Sequence, residues 1–241
     1  FPTDTAQSSL DLIREINIQQ YRDLDVNYFD GLIKEDSDDP VAYYFKGLIN
    51  LARGDLKEAY TNIDTSYSLG LHLPEVRAAR GYVTLLQGSP GGQCQVENCI
   101  ESATNELIYP VEAIPENSLF NAYYGEARLK SGDPLGALHY LNTAIGAEPL
   151  HGLAHLNLSK THLHMNNLEL AQQSLNNASA LELPSPYQYA DRAEIHAYFQ
   201  DYDLALSDLT KAIAINQELS YPYYIRAKIH ADMNNIEAAL I

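Results

Sequence analysis

Apolar residues recur at helical spacing along most of the chain. After Asp133 they fall at Leu135, Leu138, Leu141 and Ile145, one stripe of a helix with polar positions opposite. The preceding stretch, Leu119 to Leu129, reads as a second helix of similar length. Ser131, Gly132 and Asp133 lie between them. Gly supplies the left-handed residue that ends one helix, and Asp caps the next. Pro134 stands at the first helical position, where its missing N–H leaves no bond unmade. The pattern predicts a helix, a tight turn and a helix.

This unit repeats. Ala137, Ala171, Ala205 and Ala239 stand 34 residues apart, each preceded by twelve positions by a small residue: Gly125, Ser159, Ala193 and Ala227. Ala144, Ala178 and Ala212 form a third ladder of the same period. A fixed period in this range marks a stacked array, whose units cannot bury their apolar faces alone. Two antiparallel helices approach closely only over small side chains, which is the need the ladders meet. The turn recurs as Gly54–Asp55, Gly88–Ser89, Gly132–Asp133, Asn166–Asn167, Gln200–Asp201 and Asn234–Asn235. Gly and Asn tolerate a left-handed backbone; Gln200 does not, so strain or a different turn is expected there. Pro149 and Pro184 stop second helices.

With these features on the page, the chain resembles a known family. Residues 122–149, AYYGEARLKSGDPLGALHYLNTAIGAEP, and 189–216, YADRAEIHAYFQDYDLALSDLTKAIAIN, look like tetratricopeptide repeats almost position for position. The resemblance covers about 40–241 and, more weakly, 8–39. It implies an all-α fold: an α-solenoid of antiparallel helix pairs wound into a right-handed superhelix. About seven units are expected: 1–39 (degenerate), 40–73, 74–117, 118–151, 152–185, 186–219 and 220–241 (truncated). The first would place Leu10, Leu12, Ile13 and Ile16 on one helix and Tyr21, Leu24, Tyr28, Leu32 and Ile33 on the next.

The resemblance also implies a concave groove, lined by the first helix of each unit, that holds a protein or peptide. The groove positions are Tyr44, Tyr82, Lys130, Lys160, Tyr198, Tyr224 and Lys228, with Leu48, Leu86, Ala122, Glu126, Leu156 and Glu194 beside them. Tyrosine offers a large contact area with few rotamers to freeze, or simply fills helix-packing sites. The subtype that clamps the acidic tails of heat-shock chaperones needs Lys and Asn one turn apart. Here those places hold Tyr44 and Leu48, Ala78 and Tyr82, Ala122 and Glu126, and Leu156 and Lys160, so that role is disfavoured.

One break interrupts the period. Gly47 and Gly81 are 34 residues apart, but Gly81 and Gly125 are 44 apart. Ten inserted residues lie in 87–97, where Gly88, Pro90, Gly91 and Gly92 make a loop, in 109–115, where Pro110 and Pro115 do, or in both. The only cysteines, Cys94 and Cys99, sit in or beside the first of these. The C-x4-C spacing fits a small disulfide ring, which leans toward an extracytoplasmic compartment. The alternative is two free thiols in a reducing cytosol.

The chain carries 15 basic and 32 acidic residues, a net charge of −17. Binding to nucleic acid or anionic lipid rests on Lys and Arg, so both are disfavoured, and a basic or apolar partner is favoured. No apolar run in this piece is long enough for a membrane span, and no signal peptide occurs within it; either could lie outside the segment. A start at Phe1 and an end in mid-helix at Ile241 give the expectation of a piece of a longer protein, with end-to-end self-association at the apolar C-terminal edge.

Candidate chemistry is sparse. His162, His196 and His230 recur in register, but neighbouring units sit roughly 10 Å apart, too far for two imidazoles to share a metal. His151 and His155 lack a third ligand. The run Glu35–Asp39 lacks the spacing of a calcium loop. No nucleophile elbow, phosphate loop or zinc-protease helix occurs, so no catalytic, cofactor or metal residue is assigned. Arg192 is expected to pair with Asp208 inside its unit, as a structural ion pair. The reading is a non-catalytic protein-binding scaffold with a tyrosine-rich groove. The alternative is a structural or sensory segment of a larger bacterial envelope, secretion or regulatory protein.

Overall fold

Each helix begins and ends where local chemistry dictates. The computed structural model describes residues 24–90 and 92–234. Within them lie α1 (Val26–Glu35), α2 (Pro40–Arg53), α3 (Leu56–Ser68), α4 (Pro74–Gln87), α5 (Cys99–Ala113) and α6 (Ser118–Lys130). They continue as α7 (Pro134–Ala147), α8 (Gly152–His164), α9 (Leu168–Ser179), α10 (Pro186–Tyr198), α11 (Tyr202–Ile215) and α12 (Ser220–Asp232). Side chains of Asp25, Asp39, Asn98, Asn117 and Asp133 accept backbone N–H bonds at helix starts. Pro40, Pro74, Pro134 and Pro186 open their helices. The expected first helix, with Leu10 to Ile16, lies outside the described residues, as do Tyr21, Ala239 and the C-terminal edge from Ile236 to Ile241.

The helices pair as α2 with α3, α4 with α5, α6 with α7, α8 with α9 and α10 with α11, and successive pairs stack. Small residues set the closeness of each pair. A Cβ on Gly47 would lie 2.4 Å from Ile63, on Gly81 2.8 Å from Leu107, and on Gly125 2.7 Å from Leu141. Ala137, Ala171, Ala205, Ala144, Ala178 and Ala212 are all fully buried. The all-α repeat fold is therefore the one the period implies.

The same contacts locate the insertion. Ile63 follows Gly47 by 16 residues and Leu141 follows Gly125 by 16, whereas Leu107 follows Gly81 by 26. All ten extra residues lie between Gly81 and Leu107, nearly all of them in the loop 88–98 between α4 and α5. The 109–115 stretch carries none of them, and Pro110 lies inside α5 instead of in a loop.

The turn residues Gly54, Gly132, Asn166, Gln200 and Asn234 have φ of 83°, 84°, 58°, 65° and 58°. Gln200 thus adopts the common turn under strain, in place of another turn. Gly88 departs from the expected pattern: its φ is −79°, because the chain leaves α4 into the inserted loop instead of reversing at once.

One set of contacts has no period behind it. In an ideal solenoid each unit touches only its neighbours. Here Asn216 Nδ2 donates to the Arg53 carbonyl at 3.1 Å and to Asp55 Oδ1 at 3.2 Å. Pro186 and Tyr187 crowd Gly54, where a Cβ would meet Pro186 Cγ at 2.6 Å. Gln188 Nε2 donates to Tyr82 Oη at 2.6 Å, across 106 residues of chain. The array curls until the start of α10 closes on the turn after α2.

Candidate functional site

This closure divides the inner face in two. On the side of α2, α4 and α6, Tyr44, Leu48, Tyr82, Leu86, Ala122 and Glu126 are buried. Tyr82 is fully enclosed, stacked on Tyr123 with ring centroids 3.6 Å apart. Tyr44 and Tyr82, expected in the groove, are therefore core residues. The curl brings Gln188 onto the Tyr82 hydroxyl.

A chain of alternating charges runs from this closed half toward the open one. The Glu126 carboxylate is enclosed between Lys130 Nζ at 3.3 Å and Lys160 Nζ at 3.6 Å, and accepts from Asn157 Nδ2 at 3.1 Å and Tyr82 Oη at 3.3 Å. Burial pushes its carboxyl up, but Lys160, Lys130 and the Asn157 bond outweigh burial and hold it at about 2. Burial and the same carboxylate push the Tyr82 phenol well up, so it stays a donor. Lys160 also meets Asp191 Oδ2 at 2.5 Å; its ammonium is raised despite burial, by Asp191 and Glu126. Tyr221 Oη reaches Asp191 at 3.4 Å and Glu194 at 3.5 Å, and Lys228 Nζ meets Glu194 at 3.1 Å. Lys130 thus belongs to the internal network and also donates to Ser89 Oγ of the inserted loop.

The open half is a groove of about 560 Å³ between α8, α10 and α12. Its apolar lining is Leu163, Ile195, Ala197, Ile225 and Ile229, and its polar lining is Lys160, His164, Asp191, Glu194, Lys228 and Asp232. Tyr198 stands on it with 60% of its surface exposed. Tyr224 is 65% exposed on α12 but does not line it. Of the seven expected positions, Lys160, Tyr198 and Lys228 come together here. The sequence did not single out the apolar lining, in which Ile195, Ile225 and Ile229 lie buried at the base of the cleft.

Elsewhere the polar side chains are structural. Arg192 Nε and Nη2 each donate to the Asp208 carboxylate at 2.7 Å, and both side chains are buried. Cys94 and Cys99 are bonded, with Cα atoms 6.0 Å apart. Ser179 Oγ lies 3.0 Å from His196 Nε2, with Asp201 at 3.9 Å from Nδ1. The resemblance to a nucleophilic triad stops there. Ser179 Oγ donates to the Leu175 carbonyl, which obliges the imidazole Nε2 to be the donor, and the hydroxyl sits in the last turn of α9. Burial lowers the His196 and His162 imidazoles, which favours their neutral forms. His151 caps α8 and His155 Nε2 bonds the Pro149 carbonyl. Among the described residues no group of three metal-ligating side chains occurs, and no helix is long and apolar enough to cross a membrane.

Residues 128–195 match the tetratricopeptide-repeat family. The fold matches a thermophilic tetratricopeptide-repeat protein of Thermus thermophilus at 18% identity and TM-score 0.60, over 81% of this chain and 99% of that one. It also matches a tetratricopeptide-repeat protein of Parabacteroides merdae at 16% identity and TM-score 0.54, over 97% and 87% of the two chains. The family match covers residues 128–195 alone, and the fold of the described chain is similar to that of tetratricopeptide-repeat proteins. A third match to this fold is the APC/C hetero-tetramer Cut9–Hcn1, at 13% identity and TM-score 0.60. It covers 88% of the present chain, which spans only 40% of the length of that one. No curated protein matches the sequence. Identities this low speak for the fold alone.

Proposed function

We propose that the protein is a non-catalytic scaffold whose contact face is the groove between α8, α10 and α12. The observation that carries this reading is a cleft of about 560 Å³ whose apolar base is Leu163, Ile195, Ile225 and Ile229, with an exposed Tyr198 at its edge. Apolar clefts with a few convergent polar groups are the usual form of a binding site. The tyrosine-rich lining expected from the sequence reduces to Tyr198, with Tyr224 nearby.

The partner is a protein segment with apolar side chains and basic character. Glu194 and Asp232 place two carboxylates along the groove, and the chain as a whole carries a charge of −17. The Cys94–Cys99 bond supports an oxidising, extracytoplasmic location.

Peptides selected from a random library against the full chain test this function. Selected sequences are expected to combine apolar residues with Lys or Arg. Tyr198→Ser is expected to weaken them about 30-fold, the effect of an interface anchor worth about 2 kcal/mol, with an unchanged melting temperature. Unchanged affinity in that variant, or peptides that cross-link outside α8, α10 and α12, would overturn the assignment.

A further inference from the structure

The inserted loop carries a chemistry that the groove does not use. Cys94 and Cys99 close a ring across the end of residues 88–98, and the two sulfurs sit in different surroundings. Cys94 lies among exposed neighbours, Gln93, Gln95 and Glu97. Cys99 begins α5 and is only 4% exposed, packed beneath Gly88, where a Cβ would lie 3.1 Å from Cys99 Cβ. A thiolate attacks a disulfide along the S–S axis, so access decides which sulfur is attacked. Solvent reaches only the Cys94 side.

We propose that Cys94 is a thiol–disulfide exchange site, thiolated by a small thiol with Cys99 as the leaving group. In the first step an external thiolate, RS⁻, bonds to Cys94 Sγ. The Cys94–Cys99 bond breaks, and its electron pair stays on Cys99 Sγ as a thiolate. That thiolate forms at the first residue of α5, beside the unpaired backbone N–H groups of a helix start, which favour negative charge; Glu97 and Glu101 nearby oppose it. In the second step either Cys99 attacks Cys94 Sγ and expels RS⁻, or a second RS⁻ attacks the bound thiol's sulfur, releasing RSSR and the Cys94 thiolate. The second outcome leaves a dithiol, the two electrons having come from two thiols.

The consequence is confined to one end of the loop. Ser89 keeps its bond from Lys130, and Lys130 keeps Glu126, because none of the three lies within the ring of residues 94–99. Residues 92–98 lose their covalent tie to α5. The groove between α8, α10 and α12 contains no loop residue, so its binding does not depend on the loop.

The test uses the intact, folded chain with reduced glutathione as the probe. Thiols freed by exchange are captured at once with iodoacetamide, and the peptides are read by mass. The expected product carries glutathione on Cys94 and the carbamidomethyl group on Cys99, about tenfold or more over the opposite pairing, and this bias disappears in denaturant. Hydrogen exchange of the reduced chain is expected to quicken over residues 92–104 and stay unchanged over α8, α10 and α12. An even distribution in the folded chain, glutathione mainly on Cys99, or no exchange under conditions that reduce the unfolded chain would each overturn the proposal.

Discussion

Arg192 offers the sharpest test of how the stacked units are held. Its guanidinium, 1% exposed, joins three elements: Asp208 of α11 through two bonds of 2.7 Å, the Ala178 carbonyl of α9, and the Leu181 carbonyl at 2.8 Å in the connection to α10. Two unit charges about 4 Å apart attract by about 4 kcal/mol at an effective dielectric near 20. Arg192→Met keeps most of the volume but leaves a buried carboxylate without its counter-charge and the Leu181 carbonyl without its side-chain donor, while the Ala178 carbonyl keeps the Leu181 N–H. Unfolding stability is expected to fall by about 3–5 kcal/mol. Arg192→Met combined with Asp208→Leu removes both charges, and the loss should shrink to within about 2 kcal/mol, since only the Leu181 carbonyl lacks its former donor. Urea unfolding followed by circular dichroism at neutral pH measures these differences from the midpoints, provided the slopes match. Hydrogen exchange over α9 to α11 reports the same loss locally, which guards against non-two-state unfolding in an array. A single variant costing under about 1 kcal/mol, or a double variant costing the sum of both singles, would refute this account.

Two further perturbations follow from the geometry. The Glu126 carboxyl is held at about 2 when folded against an ordinary 4.5, so it adds stability that is complete above pH 4.5 and lost as pH falls toward 2. The difference amounts to about 3 kcal/mol, and Glu126→Gln should flatten the stability curve in that window; equal slopes in the two proteins would count against the network. Above that window, His196 acts in the same direction: its lowered imidazole favours the neutral form, so stability declines as pH drops below 6.5. Gln200→Gly should raise stability by about 0.5–1 kcal/mol, because it relieves a side chain held at φ 65°; a lower urea midpoint would show that the turn is not strained.

The fold was legible in the chain because its signals are local. Gly132, Asp133 and Pro134 stop one helix and start the next within three residues, and Ala137 against Gly125 needs only two neighbouring helices to explain it. Arg192 and Asp208 were readable as a pair for the same reason, standing near the same level on the two helices of one unit. The insertion was half legible: its length follows from Gly81 and Gly125, but its place required Leu107 to be seen against Gly81. The candidate site was read least well. Tyr82 and Tyr198 stand one helical turn apart in register on the first helices of their units, yet one is fully buried and the other 60% exposed.

Local period therefore determines the helix pairs, their turns and their order of stacking. Tertiary structure alone decides how far the stack curls. Small offsets between units add along the array until Pro186 meets Gly54 and Gln188 meets Tyr82. A residue's level in its unit says which face it occupies, and only that accumulated curvature says whether the face is closed as core, like Tyr82, or left open as a groove, like Tyr198.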